Sequence, residues 1–307
     1  MKLDETDQDN RQGLNAEIKY GQGHAIGELL DLLKRGVAAL ERISPEPQRT
    51  DFFSSDIFLW RGDGYLEPIK QSNGLDLLLL HGIDRARDTL YDNTRIFADG
   101  LPANHALLWG ARGCGKSSLV KAVHRKINEN EPGSLALVEL LSDDIESLPE
   151  LYDLLRDTDR RYIIFCDDLA FDDGDKTYKA LKSVLDGGVR GSPSNILLYV
   201  TSNRRHLLSR DMIENEKSTA LHAGEATEEK VSLSDRFGLW LGIHSIDQSA
   251  YLEIVEKYAD YFNLKIAREE LRKEALDWVS QRGSRSGRVA WQFIRSFAGQ
   301  HGTAIPE

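Results

Sequence analysis

The chain has little cysteine and little proline, two and eight residues in 307, and it has no apolar run long enough to cross a bilayer. Two cysteines do not make a disulfide framework, and each has a local reason to be small: Cys114 lies in a glycine-rich loop and Cys166 in a strand-like apolar run. The longest aliphatic stretches, such as Leu77 to Leu80, fall far short of the roughly 18 residues of a membrane span. The opening Met-Lys-Leu-Asp-Glu-Thr-Asp lacks the apolar centre of a secretory signal, so a cytoplasmic protein with no membrane partner is expected. Positive charge is also short. A formal net charge of -11 disfavours wrapping nucleic acid through clustered cations, while leaving room for a local basic patch. With 40% hydrophobic and 29% charged residues, the composition excludes disorder throughout, and the length suits two domains plus an extension.

What is present is a complete phosphate loop. Residues 110 to 117 read Gly-Ala-Arg-Gly-Cys-Gly-Lys-Ser, placed between an apolar run, His105 to Trp109, and a helix-like stretch, Ser118 to Ile127. A triphosphate offers closely spaced anionic oxygens, and a loop of inward-pointing backbone N–H groups followed by a helix N-terminus is suited to hold them. Gly110, Gly113 and Gly115 supply the backbone freedom; Ala111, Arg112, Cys114 and Ser118 complete the cradle. Lys116 is expected to reach the outer phosphates and Ser117 to ligate Mg2+.

Around this loop the chain is organised in three parts. Residues 1 to 74 read as a partly loose N-terminal helical extension: a polar start, helical spacing from Ile26 to Ile43, a stop at Ser-Pro-Glu-Pro, and a mixed segment from Phe52 to Trp60. Its apolar face is expected to pack on the core or on a partner, with the core favoured. Residues 75 to 245 alternate strands and helices, predicting an α/β domain with a parallel sheet covered on both faces. Residues 246 to 307 show helical periodicity only, predicting a small all-α domain.

Two further strand ends carry polar chemistry. Arg161 to Cys166 is a buried-strand pattern ending in Asp167 and Asp168, which suits one carboxylate orienting Mg2+ and a second positioning the attacking water. Asp167 is assigned the first role and Asp168 the second. Ile196 to Thr201 leads to Ser202 and Asn203, whose neutral amide could hold the lytic water or sense the terminal phosphate.

The order of these elements, followed by Ser234-Asp-Arg236-Phe237-Gly238 and a helical segment containing Ser286-Gly287-Arg288, resembles the AAA+ ATPases over about residues 75 to 300. Within them the chain is similar to a bacterial group known by a domain-of-unknown-function label. The stretches that carry this are Gly82-Ile-Asp-Arg85, Leu101-Pro-Ala-Asn104, Leu108-Trp-Gly-Ala-Arg-Gly113, Phe165-Cys-Asp-Asp168, Thr201-Ser-Asn-Arg-Arg-His206, Glu228-Glu-Lys230 and Ser232-Leu-Ser-Asp-Arg-Phe-Gly-Leu239. The resemblance implies an ATP-binding P-loop core with a helical lid and a homo-oligomer, a hexamer among the options, in which Arg236 acts in trans as an arginine finger. It further implies that Arg288, with Arg285 as a near alternative, touches the phosphates from the lid, and that Gly82 and Ile83 lie against adenine. One departure stands out: most members place Glu after the metal-orienting Asp, where this chain has the shorter Asp168, so slow basal hydrolysis is expected.

The polar stretch from Ser209 to Lys230 is expected to be a subunit-contact or partner-sensing loop rather than a metal site, since His222 and its neighbouring glutamates make an irregular ligand set. Arg204-Arg205-His206 and the arginines from 282 to 288 are read as local or phosphate-facing cations, and Trp240 and Trp291 as core residues. The leading expectation is a Mg2+-dependent ATPase whose nucleotide state acts on an unknown partner protein. An initiator- or loader-like DNA-associated protein with rare hydrolysis, and a nucleotide-sensing module without turnover, stay open on the same motifs.

Overall fold

In the computed structural model, residues 29–39, 50–70, 74–171, 177–187, 191–205, 207 and 233–305 are described. The chain divides into two units, Met1–Arg49 and Thr50–Glu307. In the first, residues 29–39 form a helix, α1, on which Leu29, Leu33 and Val37 are exposed.

The second unit is built on a seven-stranded sheet. Its strands are β1 (Ile57–Trp60), β2 (Leu66–Pro68), β3 (Ala106–Gly110), β4 (Leu135–Leu140), β5 (Arg161–Cys166), β6 (Ile196–Ser202) and β7 (Leu239–Ile243), in the spatial order β2-β1-β4-β5-β6-β3-β7. Every neighbouring pair is parallel except β1 with β2. The interior strands are almost continuously apolar because helices cover both faces, and a separate buried cluster forms on each face. Helices α2 (Asp84–Ala98) and α3 (Lys116–Asn130) pack on one side; α4 (Leu148–Arg156) and α5 (Tyr178–Leu185) lie on the other.

The segment from Phe52 to Trp60, expected to belong to an appended helical module, instead enters the core sheet. β1 pairs in parallel with β4, Phe58 opposite Val138 and Trp60 opposite Leu140, and buries both aromatic rings. The physical reason is the alternation in Ile57-Phe-Leu-Trp60, which puts its two largest side chains on one face. Arg160 fastens this addition: the residue is 3% exposed, and its guanidinium donates to Phe52 O and Ser55 O at 2.6 Å each and pairs with Asp56. Antiparallel β2 forms the edge, where Pro68 is tolerated because an edge strand has an unpaired side.

Residues after β7 form α6 (Gln248–Tyr261), α7 (Arg268–Ser280) and α8 (Gly287–Gln300), packed around Tyr251, Ile254, Phe293 and Phe297. Parallel sheet, phosphate loop and small helical domain together make the AAA+ form of the P-loop α/β fold. After β3 the chain continues at β4, three places along the sheet, and after β6 it continues at β7, beyond β3, so the strand order reverses around β3. In open α/β sheets a crevice opens at such a point, beyond the carboxyl ends of the strands.

Candidate functional site

The phosphate loop takes its shape from close backbone approach. At Gly110, φ is 148°, and a Cβ would lie 1.8 Å from Ile243 O, the neighbouring residue of β7; no side chain fits. Gly115 caps α3 in the left-handed region at φ 97°, and the first turn of that helix carries no carboxylate to oppose an incoming anion.

Lys116 is 6% exposed, and its ammonium group donates to Gly110 O, Ala111 O and Asn203 Oδ1, each at 2.9 Å. Three acceptors for three protons account for a charge held that far from water. Ser117 Oγ donates to Asp167 Oδ1 at 2.6 Å. Asp168 follows in a left-handed backbone conformation, φ 52°, and Asn203 Nδ2 donates to its carboxylate. The tips of β3, β5 and β6 thus bring Lys116, Ser117, Asp167, Asp168 and Asn203 together at one end of a cavity of about 700 Å3, within the range of small-molecule sites.

The lid closes the same cavity. Arg288 N–H donates to Gly113 O at 3.1 Å, and a Cβ on Gly113 would meet Ser286 Oγ at 3.1 Å and Arg288 Cβ at 3.2 Å. Ser286 caps α8 by accepting from Val289 N. Both Arg285 and Arg288 reach the cavity wall, and Arg288 is the one tied to the phosphate loop through its backbone. Ala111, Arg112, Cys114 and Ser118 also line it. The Cys114 thiol donates to Ala111 O at 2.8 Å, and burial pushes its pKa up.

One expected contact is placed differently. Gly82 is not part of the cavity wall; its left-handed φ of 75° makes the turn that presents Ile83 there, while its own backbone faces Ile246 and Ile254 of the lid side. Arg236 also lies outside the wall of its own chain's cavity and pairs with Asp186, just after α5. Ile83, expected against adenine, does line the cavity; the rest of its apolar lining, Leu75, Leu80, Ile246, Ile254 and Trp291, is not marked out in the sequence. Helical spacing marks such residues as buried but does not separate a cavity wall from a packed core. Trp291, read as core, does both: it lines the cavity and makes an edge contact with Tyr258, ring centroids 5.5 Å apart.

The basic runs have local partners. Arg204 Nη1 donates to Phe171 O at 3.3 Å, and the Arg205 guanidinium lies 5.3 Å from the Trp109 ring centroid. The stretch from Ser209 to Lys230, with His222 and Glu228, lies outside the described residues, as does His206. Among the described residues no cluster of three or more His, Cys, Asp or Glu side chains could hold a metal, and no helix is long and apolar enough to cross a membrane.

A family model described as "Protein of unknown function (DUF815)" matches residues 54–301. No curated protein matches the sequence. Similar solved structures include a variant of RuvB from Thermotoga maritima, 14% identical, covering 72% of this chain and 73% of that one with a TM-score of 0.45. Another is the Thermotoga maritima RuvB Holliday junction branch migration motor, 14% identical over 71% and 73%, TM-score 0.41. The AAA domain of FIGL-1 in complex with ADP is 14% identical over 73% of this chain and 85% of that one, TM-score 0.41.

Proposed function

Since the chain belongs to the DUF815 family, whose description names no activity, we propose from its site that it is a Mg2+-dependent ATPase working between copies of itself and passing its nucleotide state to a partner protein. The observation that carries this reading is the convergence of Lys116, Ser117, Asp167, Asp168 and Asn203 at one end of a single cavity. The glycine loop and the start of α3 hold the phosphates, and the apolar end beside Ile83, Ile254 and Trp291 takes the base. ATP rather than GTP follows from the family resemblance and from the lack of an Asn-Lys-x-Asp run.

Mg2+ suits the donors at hand. It is a hard cation that binds through one or two carboxylates, with water and phosphate oxygens completing its shell, so a pair of oxygen donors such as Ser117 and Asp167 is an adequate protein share. When bound, it would neutralise charge on the outer phosphates. Lys116 already sits where it can exchange Asn203 Oδ1 for a phosphate oxygen. Asp168 is the group to accept a proton from water, and Asn203, bonded to both Lys116 and Asp168, links phosphate sensing to the base.

Arg236 is assigned to a neighbouring copy's site. Its place outside its own cavity supports this, because a finger acting in cis would have to reach the same pocket as Lys116. Local partners for Arg204 and Arg205 favour a protein partner over DNA.

The test is phosphate release against protein concentration for wild type, Arg236→Ala, Lys116→Ala and an equal mixture of the two variants. Rate per chain is expected to rise with concentration, and the mixture to recover part of the activity that each variant lacks, since one supplies an intact site and the other an intact finger. A concentration-independent rate and no recovery, with both variants folded and assembled, would overturn the shared site.

A further inference from the structure

Thr201 is fully buried near the end of β6, after a run from Ile196 to Val200 that is entirely apolar or aromatic. Valine has the same shape, so the hydroxyl calls for an explanation. Its single proton goes to Asp167 Oδ1, and its oxygen accepts Asp168 N–H at 2.8 Å. The main-chain carbonyl of Thr201 also takes Leu169 N–H, at 2.8 Å. Three consecutive residues at the tip of β5 are therefore fastened to one residue of β6.

The left-handed backbone of Asp168 gives this a purpose. At φ 52° the chain turns sharply after Asp167, and the N–H bond to Thr201 holds that turn while Asn203 receives the Asp168 carboxylate. Asp167 in turn accepts from Ser117 and Thr201 on the same oxygen, which leaves its carboxylate little freedom to rotate.

We propose that Thr201 is a positioning residue for hydrolysis, one hydroxyl that sets the relation between the metal-orienting carboxylate of Asp167 and the water-orienting carboxylate of Asp168. This deepens the ATPase reading given above and rests on it. Thr201 acts through the two aspartates, so its loss should appear in turnover and metal requirement rather than in the grip on the nucleotide.

The experiment measures kcat, KM for ATP, the Mg2+ concentration for half-maximal rate and Tm in wild type, Thr201→Val and Thr201→Ser. Valine is expected to lower kcat by about 10- to 100-fold and to raise the Mg2+ requirement, as losing a partner of a metal ligand commonly does. KM for ATP should stay within about threefold, the pattern of an interaction needed in the transition state and not for binding. Serine keeps the hydroxyl and should retain kcat within about threefold. Wild-type kcat and Mg2+ requirement in Thr201→Val overturn the proposal. So does a loss beyond about tenfold in folded Thr201→Ser, an arm that does not depend on how valine folds. If wild type binds ATP but releases no phosphate, the ATPase reading falls by itself; the Mg2+ needed for half-maximal ATP binding in the three proteins then decides the role of Thr201.

Discussion

Ser117, in the first turn of α3, donates its hydroxyl proton to Asp167 at the tip of β5 over 2.6 Å, joining the phosphate loop to the strand that carries the acidic pair. Asp167→Asn keeps an oxygen to accept that proton and removes the charge. It is expected to bind ATP without Mg2+ much as wild type does, and to lose about 10- to 100-fold of the Mg2+-dependent gain in affinity or rate. Calorimetric titration of ATP with and without Mg2+ checks this; an unchanged Mg2+ effect would remove Asp167 from the metal site.

Asp168 makes its contacts from a left-handed backbone, which Asp and Asn tolerate better than other side chains. Asp168→Asn should therefore leave Tm within about 2 °C of wild type, a change under about 0.5 kcal/mol, while hydrolysis falls by two decades or more, roughly, for loss of a general base. Asp168→Glu is expected to lower Tm and to leave turnover short of a simple gain, because the longer side chain starts from a turn it adopts less readily. A faster and equally stable Glu variant would show that the shorter carboxylate is what limits hydrolysis.

At Gly110 there is room for hydrogen alone. Gly110→Ala forces Cβ into Ile243 O and should separate β7 from β3, costing about 3 kcal/mol or more and lowering Tm by roughly 6–12 °C for a unit of this size. Thermal unfolding followed by circular dichroism measures it. A Tm within error of wild type would mean that the edge of the sheet yields easily.

Acid should destabilise the fold through two histidines. Burial pushes His105 and His124 down to about 4 from an ordinary 6.5, and His105 Nδ1 accepts Leu198 N–H at 3.0 Å, a role that requires the neutral ring. Below pH 6.5 the unfolded chain takes up protons that the folded one refuses, so stability is full above 6.5 and is lost as pH falls toward 4. Stability against urea measured between pH 7 and 4.5 should fall, and His105→Asn, whose amide oxygen can still accept from Leu198, should fall less steeply. Equal slopes would assign the acid sensitivity to other groups.

The phosphate loop and the acidic pair are legible in the sequence because each is a short run whose chemistry depends on adjacent residues. The strand ends at Asp167 and Asn203 are legible for the same reason, since apolar runs fix where each strand stops. β1 is not: its four residues pair with β4 some eighty positions later, and because all four are apolar their alternation in size does not say which strand they join. Thr201 is visible as a strand residue, but its bonds to Asp167 and Asp168 span 34 and 33 positions and exist only once β5 and β6 lie side by side. The apolar end of the cavity is hidden in another way. Ile254 and Trp291 obey the helical period that also fills the lid's own core.

The bond from Arg288 N–H to Gly113 O joins two main chains, so no side-chain replacement at either position removes its donor or its acceptor, proline at 288 aside. It lies at the base of α8, whose 14 residues extend about 21 Å. A pivot of five degrees at that base would carry the far end of the helix through about 2 Å, by the same rise per residue. A small shift of the phosphate loop at Gly113 would therefore act on the short arm of a lever and be enlarged along α8.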